Sequence, residues 1–293
     1  MDIDDYRTHS PYSAPRQHHR LLDAVPADIA DVAATARNVI VHYRVGGVDL
    51  PADRMDEVNR RWVDRILDTD QSRCPLPLTA ARPAADRVAG CCRDHTLFSI
   101  AVLRQHGIPA RSRVGFASYF TPGWHHDHVL LEFWDGERWV WADPELDPAG
   151  EWQFNGYDID PGAGLFDSAA RVWSAYRAGT IDPDAYGVDR GLPTLRGAWF
   201  IYNYVLHELA HRQKDELLLW DDFGAMTGDI AAADLALADE IAALLLAADD
   251  GDEAAEKALT DRYAADARLR PEPEIRSVSP VTGVFTTVDL RRG

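Results

Sequence analysis

Residues 91–145 constrain the fold more than any other stretch, because the period of their hydrophobic pattern changes from helical to alternating. Apolar residues recur at helical spacing from about 91 to 106, which predicts a buried helix. Gly107 suits the left-handed residue that ends a helix, and Pro109 prevents the helix from continuing. Two cysteines, Cys91 and Cys92, stand where this helix begins.

The residues after the helix are typical of antiparallel strands. The stretch 111–120 predicts one strand, and 127–145 predicts a hairpin whose two-residue turn is Asp135-Gly136. A helix that precedes and packs on antiparallel strands predicts the α+β class.

Composition divides the remainder of the 293 residues into regions. We expect a polar, partly disordered arm at 1–25, a core with N-terminal helices at 26–150, a mainly helical extension packed on that core at 151–270, and a tail of strand-like character at 271–293. Helical spacing predicts six further helices, at 26–44, 52–69, 167–178, 195–213, 229–248 and 253–266. A proline-bearing loop is expected at 70–88.

The charge and the cysteine content of the chain exclude several classes of protein. The net charge is −18 at pH 7, so we expect no nucleic acid and no membrane among its partners. No apolar run approaches 18 residues, and the N-terminus has no apolar segment of signal-peptide length. Three cysteines do not make a disulfide framework. These features predict a soluble protein of a reducing compartment, the cytoplasm.

The adjacent cysteines allow several interpretations. Adjacent cysteines rarely form a disulfide with each other, because the small ring strains the peptide between them. A zinc site needs four suitably spaced ligands, and the chain has no C-x-x-C. Two small buried residues remain possible, since free cysteine is often buried. A nucleophile is the sharper hypothesis, because a helix N-terminus favours a thiolate.

The predicted hairpin supplies a base and a group that orients it. With Asp135-Gly136 as the turn, His128 pairs directly with Asp143, and their Cβ atoms would lie about 4.5–5.5 Å apart. A one-residue slip would place them on opposite faces, so this prediction depends on the turn. A thiol, an imidazole and a carboxylate in this order form a Cys-His-Asp arrangement for nucleophilic catalysis. Only one of the two cysteines can face the base, because neighbours on a helix point about 100° apart.

Residues 90–143 resemble the core of the transglutaminase-like superfamily, whose papain-like fold packs a cysteine-bearing helix on an antiparallel sheet. The resemblance lies in four segments: Gly90-Cys91-Cys92-Arg93-Asp94, Gly107-Ile108-Pro109-Ala110-Arg111, His128 at the start of a strand, and Trp141-Ala142-Asp143-Pro144. Bacterial members with a helical C-terminal extension have segments similar to YFTPG, to DPDAYGV at 182–188 and to KDELLLWD at 214–221. The longer resemblance spans about 30–245.

The resemblance implies that Cys92 is the nucleophile and that Cys91 takes no chemical part. Its base would be His128, oriented by Asp143, and the reaction would be acyl transfer or amide hydrolysis through a Cys92 thioester. The backbone N–H of Cys92 would contribute to the oxyanion hole. No metal and no organic cofactor is expected for this chemistry.

The substrate is expected to be a peptide, an amide or an acyl thioester, including one bound to a carrier. Trp124 and Trp141 predict an apolar groove for its acyl group, and His126 is expected to line the same cleft.

Two other functions compete with this one. His207-Glu208-x-x-His211 could place two imidazoles on zinc, as in a zinc hydrolase, although no third ligand stands out. The same motif also suits an amphipathic helix with two histidines on its polar face. The second competitor is a non-catalytic binding module that keeps the transglutaminase-like fold.

Overall fold

A computed structural model describes residues 2–292 and shows a mixed fold of helices and mainly antiparallel strands. The α-helices are α1 (His19–Asp23), α2 (Ile29–Val39), α3 (Val63–Arg73), α4 (Cys92–Gln105), α5 (Ala169–Arg177), α6 (Ala198–Arg212), α7 (Leu235–Asp249) and α8 (Glu253–Ala265). The strands are β1 (Ile40–His42), β2 (Val88–Gly90), β3 (Ala110–Thr121), β4 (Trp124–Trp134), β5 (Trp139–Ala142), β6 (Phe166–Ser168), β7 (Tyr186–Gly187), β8 (Asp221–Asp222), β9 (Glu274–Val278) and β10 (Phe285–Asp289).

The central sheet has the strand order β5-β4-β3-β6, and β7 runs parallel to β4 beside it. Helix α4 packs on β4, and α6 packs on β3. One buried apolar cluster includes residues of α2, α4, β3 and β4 together with residues of α5 to α8. The segments predicted as core and extension therefore share one hydrophobic core, and the α+β prediction is confirmed.

Local signals determine the ends of α4. The backbone N–H of Cys91 donates to the Asp94 carboxylate at 2.9 Å, which caps the start of the helix. Gly107 adopts φ +72°, and the N–H of Ile108 donates to the carbonyl of Leu103 at 2.9 Å, as in a Schellman cap. The predicted helix is confirmed to within a residue at each end.

The hairpin differs from the prediction in its turn. Trp134 pairs with Trp139, so the connection holds four residues rather than two. A two-residue type I′ turn would require positive φ at both Asp135 and Gly136, but only the glycine has it. Instead, the Asp135 carboxylate accepts the N–H groups of the next loop residues, Glu137 and Arg138, at 2.8 and 2.9 Å.

Two helices predicted before α4 are shorter in the structure, because contacts with distant residues replace part of each helix. The helix predicted at 52–69 is a 3-10 segment, Ala52–Asn59, followed by α3 from Val63. The Glu57 carboxylate binds Arg54 and Arg73 and accepts the N–H of Ala89. The helix predicted at 26–44 ends at Val39, because β1 then pairs in parallel with β2.

The first 25 residues are packed against the protein, contrary to the prediction of a partly disordered polar arm. Tyr6 and Tyr12 are buried. The Tyr6 hydroxyl donates to the carbonyl of Arg212 at 2.8 Å, and the Ser10 hydroxyl donates to the Glu216 carboxylate at 2.5 Å. Hydrogen bonds to residues more than 200 positions away fix this segment, so local composition gives no sign of them.

The second half of the chain agrees with most of the predicted helices. The helices predicted at 167–178, 195–213 and 253–266 are α5, α6 and α8, whereas the one predicted at 229–248 begins only at Leu235. Residues 271–293, predicted as a tail, instead contain the hairpin β9–β10, which extends onto β8. No helix within residues 2–292 is long and apolar enough to cross a membrane.

Candidate active site

Cys92 is the first residue of α4, and the helix holds it against the strand that carries His128. One turn into the helix, the hydroxyl of Thr96 donates to the carbonyl of Val129 at 2.8 Å. Val129 directly follows His128, so this bond fixes the start of the cysteine helix beside the histidine. Thr96 is buried, which shields the bond from water.

His128 and Asp143 form the contact predicted from the sequence, although the register differs. Nε2 of His128 lies 2.7 Å from Oδ2 of Asp143, and both side chains are buried. The observed register would place Glu145 opposite His128 if the ladder continued, with Asp143 as its diagonal neighbour. The change of two residues keeps Asp143 on the face of His128, which explains why the contact survives the incorrect turn.

Asp143 is held by several donors besides His128. Its Oδ1 accepts the N–H of Glu145 at 3.0 Å, and its Oδ2 accepts the hydroxyl of Tyr119 at 2.6 Å. Its own N–H donates to the carbonyl of Gly156 at 2.7 Å. A buried carboxylate with this many donors remains ionised and keeps one orientation.

The thiol of Cys92 completes the arrangement. Its sulfur, a ring nitrogen of His128 and a carboxylate oxygen of Glu145 all lie within 4.8 Å of one another. Because Asp143 engages Nε2 of His128, Nδ1 is the nitrogen left for the proton of the thiol. The same three ligand atoms could also hold a metal ion, since sulfur, imidazole and carboxylate suit zinc.

The surroundings of the Cys92 thiol raise its pKa. A hydrogen bond with Cys91, burial and the negative charges of Glu145 and Asp127 raise the pKa of Cys92 well above its ordinary value. These effects oppose the helix dipole, which favours a thiolate at the start of α4. Burial lowers the pKa of His128, but the charge and hydrogen bond of Asp143 raise it more, and the net pKa is raised.

Within the H-E-x-x-H motif, both ring nitrogens of His211 are engaged. Nδ1 of His211 faces the hydroxyl of Ser112 at 2.8 Å, and its Nε2 donates to the carbonyl of Leu217 at 3.0 Å. The Glu208 carboxylate accepts the N–H of Ala170 at 2.7 Å. His207 is also buried. Among the residues that the structure describes, no third His, Cys, Asp or Glu joins these imidazoles in a group that could hold a metal ion, so the geometry gives no support to the zinc-hydrolase hypothesis.

The residues expected to contact substrate lie in different settings. Trp141 is packed in a second apolar cluster and donates to the Glu132 carboxylate at 2.9 Å, which is a structural position. Trp124 is buried beneath the guanidinium groups of Arg190 and Arg196.

His126 is only partly buried, and both of its ring nitrogens are engaged. Nδ1 contacts the carbonyl of Val188 at 2.9 Å, and Nε2 contacts the hydroxyl of Thr121 at 2.9 Å. The ring therefore has a fixed orientation at the edge of the sheet.

Sequence reasoning missed the aromatic side chains around His128. Tyr119 and Phe120 approach its ring edge-on, with centroids 6.1 and 5.1 Å away, and Trp152 approaches both of them. Phe120 is exposed. Tyr119 and Phe120 belong to the YFTPG segment of the longer resemblance. No local pattern in the sequence indicates that they reach His128.

Part of the chain is similar to known proteins. Residues 45–144 match the family model described as the transglutaminase-like superfamily. No curated protein matches the sequence significantly. The chain is similar to the crystal structure of a proposed cysteine protease from Cytophaga hutchinsonii, at 20% sequence identity and a TM-score of 0.33. That similarity covers 50% of this chain and 43% of the other, so it spans less than half of the other protein.

Proposed function

Since residues 45–144 carry the transglutaminase-like core that the sequence resemblance predicted, we propose that the protein is a cysteine enzyme acting on a carbonyl through a Cys92 thioester. The observation that carries the proposal is the placement of Cys92 beside a histidine whose other nitrogen is bound by Asp143. Its substrate would be a peptide, an amide or an acyl thioester, including one bound to a carrier.

In the first step, Nδ1 of His128 takes the proton of the Cys92 thiol while the sulfur attacks the carbonyl carbon. The raised pKa of His128 supports this step, because the buried Asp143 stabilises the imidazolium that forms. The backbone N–H of Cys92, in the first turn of α4, has no carbonyl partner within the helix and suits the developing oxyanion.

In the second step, the imidazolium returns its proton to the leaving group, which departs as the carbonyl re-forms and leaves a thioester on Cys92. His128 then takes a proton from water or from an amine as that nucleophile attacks the thioester. The thiol is regenerated with an acid or a new amide as the product. The two outcomes define an amide hydrolase and an acyltransferase.

The proposal is tested by alkylation with iodoacetamide near neutral pH, followed by mass spectrometry of the peptides. We expect alkylation of Cys92 that is slowed at least about tenfold by His128→Ala, because no base then removes the thiol proton as the sulfur attacks. Cys91→Ala is the matched control and should retain the fast reaction. Alkylation of Cys92 at the rate and pH dependence of an ordinary thiol would favour the non-catalytic binding module.

Intact-mass measurements with candidate acyl donors then identify the acyl group. A mass increase in the wild-type protein that is absent in Cys92→Ala would support the thioester.

A further inference from the structure

The carboxylate of Glu145 lies at the proposed reaction centre, and the mechanism above does not use it. Its backbone N–H donates to Oδ1 of Asp143 at 3.0 Å, which turns the chain back after β5. The turn brings a carboxylate oxygen of Glu145 within 4.8 Å of both the Cys92 sulfur and a ring nitrogen of His128. Glu145 is half-buried, so a small molecule at the sulfur would contact it.

The carboxylate of Glu145 has no hydrogen-bonded partner among the residues that the structure describes, although His128 lies near it. No hydrogen bond or ion pair of its carboxylate occurs within residues 2–292, whereas the neighbouring Asp143 has three donors. Asp127, the other acid near the thiol, is different, because the hydroxyl of Tyr204 donates to it. The Glu145 carboxylate at the thiol is therefore available to bind a group of the substrate.

The negative charge of Glu145 acts on both Cys92 and His128. Its negative charge is one of the causes that raise the pKa of Cys92, after the hydrogen bond with Cys91 and burial. It also acts to raise the pKa of His128, although Asp143 contributes more to that shift. A carboxylate at the thiol with no hydrogen-bond donor of its own suits a positive charge on the substrate, which would offset the effect of Glu145 on the thiol.

We propose that Glu145 binds a protonated amine on the carbon next to the carbonyl that Cys92 attacks. The inference rests on the proposed function and names its acyl donor as an aminoacyl compound, such as a peptide with a free N-terminus. An ammonium nitrogen would sit about 2.8 Å from the carboxylate oxygen. In such a donor the amine nitrogen and the carbonyl carbon are only ~2.5 Å apart. The path from the carboxylate oxygen through these two atoms to the sulfur is longer than the 4.8 Å limit between Glu145 and Cys92, so the donor would bend and lie beside the two side chains, contacting both.

The charge preference is measured with two methanethiosulfonate reagents of similar size, one bearing an ethylammonium group and one an ethylsulfonate group. In each reaction the Cys92 sulfur attacks the sulfenyl sulfur, a mixed disulfide forms, and methanesulfinate leaves with the bonding electron pair. The label at Cys92 is quantified by peptide mass spectrometry. We expect the ratio of the cationic to the anionic rate to fall at least about tenfold in Glu145→Gln.

Glu137→Gln is the matched control, because it removes the same charge from the exposed loop between β4 and β5 and should leave the ratio unchanged. An unchanged ratio in Glu145→Gln would overturn the inference alone. Failure of both reagents to label Cys92 would overturn the proposed function, and the inference with it. Labelling that appears only after treatment with a chelator would show that a metal ion occupies the group formed by Cys92, His128 and Glu145, and would also overturn the ammonium site.

Acylation by alanine p-nitrophenyl ester and by its N-acetyl derivative provides the second measurement. The burst of p-nitrophenolate should be faster with the free amine, and Glu145→Gln should remove most of that preference. Equal preferences in the wild-type protein and in Glu145→Gln would contradict the inference even if both esters acylate Cys92.

Discussion

At the scale of single residues, two hydrogen-bonding groups share the oxygen Oδ2 of Asp143, and this sharing affects the pKa of His128. It contacts Nε2 of His128 at 2.7 Å and accepts the hydroxyl of Tyr119 at 2.6 Å. Burial acts to raise the pKa of Asp143, but the charge of His128 and the hydrogen bonds of His128 and Tyr119 lower it overall. The tyrosine therefore shares the negative charge that would otherwise act on His128 alone.

We expect Tyr119→Phe to raise the pKa of His128, because the carboxylate then acts on the imidazolium without a second donor. Neutral imidazole would form only at higher pH, so the acid limb of Cys92 alkylation should move to higher pH. At pH values on the acid limb, the labelling rate of Tyr119→Phe should be roughly three- to tenfold lower than that of the wild type, which corresponds to about 0.7–1.4 kcal/mol. The measurement is the pH profile of iodoacetamide labelling.

Tyr176→Phe is a suitable control, because Tyr176 lies on α5 and packs on Trp173. An acid limb that stays in place in Tyr119→Phe would show that the phenol does not share the carboxylate's charge.

At the scale of elements, the site depends on how α4, β4 and β5 are placed. The position of α4 depends on the Thr96 hydroxyl, which joins the helix to the carbonyl of Val129. The position of β5 depends on a four-residue loop, which places Asp143 diagonally from His128 and brings Glu145 to the thiol. A one-residue change in that loop would move the acids to the other face of the sheet.

We expect Thr96→Val to destabilise the protein by about 1–2 kcal/mol, since a buried carbonyl loses a donor while the side-chain shape is kept. Because α4 is then less firmly fixed to β4, alkylation of Cys92 should also slow several-fold. Urea unfolding measures the free energy of unfolding, and iodoacetamide labelling measures the site. Thr96→Ser keeps the hydroxyl and should restore the labelling rate; if it does not, the hydrogen bond does not position the cysteine.

At the scale of the whole molecule, buried ion pairs join the central sheet to the later helices. Arg113 of β3 and Arg212 of α6 both donate to Asp249 of α7 at 2.7 Å. Arg113 also lies 3.3 Å from the Glu208 carboxylate, and all of these side chains except Asp249 are almost completely buried. Removing one partner of such a network leaves an unpaired buried charge, which makes the network an important constraint on the fold.

Glu208 makes the stability of the protein depend on pH. Burial is the main cause that raises its pKa to about 7, although the charge of Arg113 lowers it. The folded state therefore binds more protons than the unfolded state between about pH 4.5 and 7, and stability falls as the pH rises through that window.

We expect Glu208→Gln to remove the part of the fall in stability with rising pH that is due to Glu208. The free energy of unfolding of the variant, relative to the wild type, should increase by on the order of 2 kcal/mol from pH 5 to pH 8. Urea unfolding at the two pH values gives the difference, and effects of other titrating groups cancel between the proteins. Glu253→Gln, at the exposed start of α8, should show no such change. A constant difference for Glu208→Gln would mean that Glu208 is ionised throughout.

The sequence alone determined the features that depend on near neighbours. The bounds of α4 follow from its apolar spacing and from the glycine after it. The shared face of His128 and Asp143 follows from the two-residue period of a strand, which a register change of two residues preserves. The family resemblance of the core was also readable, and the family match confirms it.

The tertiary structure decided what depends on contacts between distant segments. The packing of the first 25 residues, the pairing of the C-terminal hairpin with β8 and the engagement of His211 all involve partners far along the chain. The raised pKa of Cys92 also depends on the tertiary structure, because it follows from a hydrogen bond with Cys91, from burial and from the charges of Glu145 and Asp127. Periodicity reports only local order, whereas burial, charge and hydrogen-bond partners depend on where the whole chain places each side chain.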